Sequence, residues 1–285
     1  MRSRQFRQVD VFSTVPYRGN PLAVVLEGEG IDDAALAVFA NWTNLSETTF
    51  VLPPTPEGAA AGADYRLRIF TPTRELPFAG HPTLGTAHAW LEAGNTPRDP
   101  AAVVQECGVG LVQVRRDAVR LAFAAPPLQR SGSVEETDLA VFADLLGIAP
   151  SQIVDSNWID NGPGWVGILL DSAESVLALE PRLSELNGRS IGVVGPYSGG
   201  RTPGRPNFEV RAFAGSAGVG EDPVTGSLNA GLAQWMIAAG HAPEHYLAGQ
   251  GARLGRDGLV HLDRVDGRVW VGGASTTCIS GTVIL

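Results

Sequence analysis

Apolar and polar residues alternate along much of the chain in short runs bounded by Gly, Pro, Asn or Asp. VDVFSTV, LAVVLEG, TTFVLPP, YRLRIF, AAVVQEC, GLVQVRR, AVRLAFA, WVGILLD, NFEVRAF and RVWVGG are rich in β-branched or aromatic residues, and each predicts a strand. Helical spacing is rarer. IDDAALAVFANWTNL has an acidic start and apolar residues at helical intervals, and VEETDLAVFADLLG carries Glu135 and Glu136 in its first turn. ESVLALEPRLSELN has the same spacing, but Pro181 must interrupt it, because proline lacks a backbone donor and clashes with the preceding turn. GRTPGRPN (200–207) predicts a mobile loop, and APPLQRSGS (125–133) reads as a linker near the middle of the chain.

Two segments carry a repeat. ELPFAGHPTLGTAHAWLEAG (75–94) and EDPVTGSLNAGLAQWMIAAG (221–240) align without a gap at seven identities in 20 positions, among them Glu75/Glu221, Pro77/Pro223, Gly80/Gly226 and Gly85/Gly231. An alternating strand ending Arg-x-Phe precedes each (Arg68/Phe70 and Arg211/Phe213), and a glycine in the position of a helix C-cap closes each. Both helices are apolar nearly all round, which requires burial on every side. An antiparallel-rich sheet curled round one helix supplies that burial. The expected fold class is therefore α+β. It has two pseudo-symmetric halves, each a curled, mostly antiparallel, barrel-like β-sheet around a central buried helix, with the active site in the cleft between them. The halves are expected at 1–126 and 127–285, with the final strand free to return to the first half.

Both polar loops fall at predicted helix N-termini, where unsatisfied backbone N–H groups and the positive dipole end attract anions. The entrance residues are Gly80 and His81 in one copy, and Asp222, Gly226 and Ser227 in the other. The plainer reading makes Thr225 and Ser227 caps and gives Gly226 to the turn. NLSETTFV places Ser46 and Glu47 between an amphipathic helix and an apolar strand. A half-buried carboxylate there, its pKa raised, suits general acid/base work; the alternative is a surface glutamate at a strand start. His81, Asp222 and Ser227 also suggest a serine hydrolase, but Ser227 lies in T-G-S-L-N rather than a G-x-S-x-G elbow, which weakens that reading. Neither GHPTLG nor GVGEDPVTG is a dinucleotide fingerprint.

Composition narrows the classes. The 285 residues are 44% hydrophobic and 18% charged, as expected of a folded protein of one large or two medium domains. The net charge of −9 argues against nucleic acid or an anionic membrane as partner. All 21 basic residues are arginine, so neither a pyridoxal-phosphate Schiff base nor a Walker A loop can form. The five histidines show no metal-ligand spacing, so no metal is expected. MRSRQFRQVDVFSTV lacks the apolar core of a signal peptide, no run approaches a membrane span, and Cys107 and Cys278 are no disulfide framework; a cytoplasmic location is the expectation.

VDVFSTVPYRGNPLAVV, NLSETTFV, RIFTPTRELPFAGHPTLGTA, EDPVTGS and QGARLGRDG (250–258), in this order, resemble the phenazine-biosynthesis PhzF family, of the diaminopimelate-epimerase-like fold, from about residue 7 to the C-terminus. The resemblance implies a cofactor-independent isomerase, with no cofactor, acting on a small carboxylic acid, like trans-2,3-dihydro-3-hydroxyanthranilate isomerase. It implies Glu47 as the base that removes and returns a proton, His81 and Asp222 beside it in catalysis, and Ser46, Gly80, Gly226 and Ser227 in substrate binding. The places of the paired cysteines of epimerase relatives are held by Ala79 and Thr225, neither of which exchanges protons near neutral pH, so a two-thiol mechanism is not available. A homodimer is the family expectation. A non-catalytic binding member of the same fold is the competing class; Glu47, His81 and Asp222 together favour the enzyme.

Overall fold

The computed structural model describes residues 1–117, 120–199, 204–215 and 220–285, which covers only the second half of the loop 200–207. The chain forms two compact units: Met1–Ala124 with Gly272–Leu285, and Ala125–Val271. Each holds one copy of the repeat.

In the first unit β1 (Ser3–Val11), β2 (Asn20–Val25), β3 (Glu47–Leu52), β4 (Tyr65–Phe70), the short β5 (Glu75–Leu76), β6 (Ala102–Cys107), β7 (Gly110–Arg116) and β8 (Leu121–Ala124) follow in order, with α1 (Asp33–Thr43), α2 (Pro56–Ala60) and α3 (Gly80–Glu92) between them. β1 and β2, β3 and β4, β6 and β7, and β7 and β8 pair antiparallel. β2 with β3 and β4 with β6 pair parallel, each pair joined by a crossover containing a helix. α3 packs against β1, β2 and β3 and also against β7 and β8. One helix reaches strands at both ends of that order only because the sheet curls round it. That enclosure is why α3 is buried almost continuously from Gly80 to Ala87.

The second unit repeats the plan. β9 (Arg130–Gly132), α4 (Glu136–Leu146), β10 (Asp155–Asp160), β11 (Trp165–Leu169), α5 (Ala173–Ala178), β12 (Ser190–Pro196), β13 (Phe208–Ala214), β14 (Glu221–Asp222), α6 (Gly226–Ala239), β15 (His245–Gln250), β16 (Gly258–Val265) and β17 (Arg268–Gly273) follow. β11 and β12 pair parallel, as do β13 and β15, in the places of β2/β3 and β4/β6. α6 packs against β10, β11 and β16, so this sheet curls too. The last strand, β18 (Ser275–Ile284), pairs antiparallel with β1 in the first unit.

Two identities of the repeat are explained by packing. A Cβ on Gly85 would stand 2.7 Å from side-chain carbons of Leu22 and Val11, and one on Gly231 would stand 2.5 Å from the carbonyl oxygen of Ile159. Each central helix lies close to its sheet at its glycine, against movable side-chain methyls at Gly85 and against fixed backbone at Gly231. The stops also match: Gly94 (φ +90°) and Gly240 (φ +79°) take the left-handed conformation just past the helices.

Some local expectations change: within the expected linker, Arg130–Gly132 pair with β10 as β9. Others hold: the third predicted helix is interrupted at Pro181 as expected, α5 stopping at Ala178 with only a 3₁₀ turn, Leu183–Glu185, beyond it. Residues 200–203 of the Gly/Pro/Arg loop lie outside the described residues. Cys107 and Cys278 sit on strands and are half-buried, and burial pushes the Cys107 thiol up, away from the reactive thiolate. No helix among the described residues is long and apolar enough to cross a membrane.

Candidate active site

In the first unit the sequence places a carboxylate and an imidazole side by side. Asn44 (φ +54°) ends α1 in the left-handed conformation, Ser46 follows half-buried, and Glu47 opens β3 opposite Leu22 of β2. His81 is the second residue of α3. Its Nε2 lies 3.4 Å from Glu47 Oε2, with side chains 6% and 16% exposed. Its Nδ1 lies 3.5 Å from Nδ2 of Asn20, a fully buried residue at the start of β2. Burial lowers the His81 pKa from 6.5 to about 3, so the ring is neutral at physiological pH. A neutral ring has one donor and one acceptor. With Asn20 Nδ2 donating to Nδ1, assigned from this network, the N–H falls on Nε2, which lies close to Glu47 Oε2 without forming a hydrogen bond to it. Glu47 is thus a carboxylate at the rim of the core beside a neutral donor.

The second unit presents a different polar set at the equivalent helix start. Asp222 ends β14, held opposite Ala212 of β13. Thr225 occupies the N-cap position of α6 but makes no side-chain cap bond; its hydroxyl donates to Asp222 Oδ2 at 2.5 Å. The plainer alternative, in which Thr225 caps the helix, does not hold: the loop carboxylate has taken the hydroxyl. Ser227 does not cap either. Its Oγ accepts from Trp165 Nε1 at 3.0 Å and its carbonyl accepts from Asn161 Nδ2 at 2.8 Å. A hydroxyl that receives an indole N–H has a donor beside it rather than a base, unlike an activated serine nucleophile.

Both central helices start without a side-chain cap, as does α4, whereas α1, α2 and α5 are capped by Asp32, Thr55 and Ser172. Gly80 and Gly226 are the first residues of α3 and α6. N–H groups in the first turn of an uncapped helix suit an anion. The repeat's glutamates hold these loops. Glu75 accepts from Arg68 Nε and Nη2, both at 2.7 Å, and Glu221 accepts from Arg211 Nε and Nη2 at 2.9 and 2.8 Å. Each Arg–Glu fork ties the short strand before the helix to the strand before it, which fixes the loop between.

The structure thus brings Glu47 and His81 together in one unit, and Asp222, Gly226 and Ser227 to one helix start in the other. Sequence reasoning missed Asn20, which meets His81, and Gln250, which grips the Thr225 loop. Both lie within the quoted stretches YRGNPLAVV and QGARLGRDG, but a lone amide carries no chemical signal until its partners are known. Among the described residues no group of His, Cys, Asp or Glu is placed to hold a metal ion.

Fold and helix starts define an α+β protein of two like units, each a curled sheet on a buried helix, with polar and ionisable side chains at the helix entrances. Residues 9–281 match the family described as Phenazine biosynthesis-like protein, PhzC-PhzF, and the chain belongs to that family. It is similar to Antisense-enhancing sequence 1 of Schizosaccharomyces pombe, at 36% identity over 298 residues covering 99% of both chains. It is also similar to trans-2,3-dihydro-3-hydroxyanthranilate isomerase of Pseudomonas fluorescens, at 32% identity over 289 residues, 97% of this chain and 98% of that one. Among solved structures, a PhzF-family protein of Bacillus anthracis matches with a TM-score of 0.82 over 100% of both chains; at 19% identity that likeness shows the fold.

Proposed function

We propose that the protein is a cofactor-independent isomerase that moves a proton on a small cyclic or unsaturated carboxylic acid, with Glu47 as the general base and acid. The observation that carries the reading is the pair itself: a carboxylate 3.4 Å from an imidazole that burial keeps neutral. A neutral ring donates a hydrogen bond to Glu47 or to a substrate oxygen without adding a proton of its own. Glu47 can therefore take a proton from one carbon and, after its carboxyl proton exchanges with solvent, deliver one to another carbon. His81 and Asp222 polarise and hold the substrate in this reading. Ser46, Ser227 and the N–H groups of Gly80 and Gly226 bind it, helix-start N–H groups being suited to its carboxylate. The isomerase relatives support the reaction class. We take the protein to act in the cytoplasm, as a homodimer.

The test is incubation with trans-2,3-dihydro-3-hydroxyanthranilate in D₂O, beside Glu47→Gln. Conversion with solvent deuterium uptake is expected for the wild type, with a loss of at least ~100-fold in the variant. Activity surviving in Glu47→Gln would remove Glu47 from the role. Turnover by neither protein, with this and other small unsaturated carboxylates, would favour a non-catalytic binding member of the fold.

A further inference from the structure

A hydrogen-bond chain whose direction the geometry fixes holds the loop that starts α6. Gln250, at the end of β15, is only 2% exposed. Its Oε1 accepts from the backbone N–H of Thr225 at 3.0 Å and from Asn229 Nδ2 at 2.8 Å. Its Nε2 donates to the carbonyl of Asp222 at 3.1 Å and to Thr225 Oγ1 at 3.0 Å. A backbone N–H can only donate and a carbonyl can only accept, so the amide has one workable orientation. Nε2 has no acceptor capacity, so the Thr225 hydroxyl must accept from it. The single hydroxyl proton then goes to Asp222 Oδ2, 2.5 Å away.

The first unit contains the same device with a different end. Gln105 Nε2 donates to Thr83 Oγ1 at 3.1 Å, and that hydroxyl donates to the carbonyl of Ala79 at 2.9 Å. Thr83 stands at the repeat position of Asn229, Ala79 at that of Thr225, and Leu76 at that of Asp222. There the glutamine, which also accepts from Tyr65 Oη, secures the helix start and reaches no carboxylate through it. In the second unit the chain ends on a carboxylate instead. This commitment also explains why Thr225 leaves α6 uncapped.

We propose that Thr225 and Gln250 are positioning residues for Asp222: the relay Gln250 Nε2–H to Thr225 Oγ1–H to Asp222 Oδ2 fixes the rotation of that carboxylate and supports its ionised form. The proposal rests on the place given to Asp222 in the proposed reaction. Its physical core is that a buried amide, locked by two backbone contacts, dictates the direction of a hydroxyl that has no other way to satisfy its donor. Thr225→Val keeps the side chain's shape and deletes the proton, whereas Thr225→Ser keeps the proton.

The experiment uses the full chain labelled with [γ-¹³C]aspartate, with the Asp222 resonance assigned by its loss in Asp222→Asn. Carboxyl titrations are compared for wild type, Thr225→Val and Thr225→Ser, beside their melting temperatures. The expected result is a titration midpoint moved to higher pH in Thr225→Val and restored in Thr225→Ser. An unchanged midpoint in Thr225→Val overturns the relay. Turnover in the D₂O assay should fall on the order of ten- to hundredfold in kcat for Thr225→Val, with a smaller change in KM and recovery in Thr225→Ser. A moved midpoint with unchanged kcat overturns the positioning role while leaving Glu47 in place. If the wild type itself does not turn over, the isomerase reading fails on its own, and the titration still decides whether the relay exists.

Discussion

Arg211 and Glu221 meet with side chains 5% and 7% exposed, whereas Arg68 and Glu75, their counterparts in the first unit, are 23% and 43% exposed. The same fork in the same motif therefore carries different energetic weight. Removing one partner of a buried pair leaves an uncompensated charge and costs about 3–5 kcal/mol, while an exposed pair is worth about 0–1 kcal/mol. Arg211 keeps two backbone carbonyls, of Val176 and Leu179, which hold it in place without neutralising it. Glu221→Gln is expected to lower unfolding free energy in urea by several-fold more than Glu75→Gln. Equal losses would mean that burial is not what separates the two forks.

The central helices set their own tolerance. Gly231→Ala should gain about 1 kcal/mol of helix propensity but lose more to overpacking, which costs about 1–3 kcal/mol when the neighbour cannot move. That neighbour is a backbone carbonyl oxygen of β10. Gly85→Ala faces methyl groups of Leu22 and Val11, which yield more readily, and should lose less. Thermal melts of the two variants check the order. These helices, their glycine stops and the polar residues at their starts were legible in the sequence, because all-round apolarity and a gapless repeat each carry a structural meaning of their own. Other elements were not. β12 (SIGVVGP) is broken by glycines, β15 (HYLAGQ) has little alternation, and β18 (STTCISGTVI) is mostly small and polar, so each forms through its neighbours' pairing rather than its own pattern. The hydrogen-bond partners of Asn20, Thr225 and Gln250 were hidden for a related reason. They join residues as far apart as Asn20 and His81, and only the folded sheet sets their distance.

At the scale of the whole chain, two buried groups pull the pH dependence of stability in opposite directions. Burial lowers His81 from 6.5 to about 3, so between these values the unfolded chain binds a proton that the folded chain refuses, and stability is lost as pH falls. Burial raises Glu209 from 4.5 to about 7, against the bond that its Oε2 accepts from Tyr197 Oη at 2.7 Å. There the folded chain keeps a proton that the unfolded one releases, and stability is lost as pH rises through that window. Each group contributes a slope of up to about 1.4 kcal/mol per pH unit, of opposite sign, and the two oppose each other between 4.5 and 6.5. His81 acts alone below that overlap and Glu209 alone just above it. Each can be isolated as a difference from the wild type in urea titrations from pH 4 to 7.5. His81→Asn should lessen the loss on acidification, and Glu209→Gln should remove the loss on raising the pH. A stability profile that Glu209→Gln leaves parallel to the wild type would mean that the carboxyl titrates alike in both states, and that Tyr197 and Arg211 compensate its burial fully. If the His81→Asn profile stayed parallel instead, the imidazole would be able to take up a proton in the folded protein, and its role as a neutral donor beside Glu47 would fall with it.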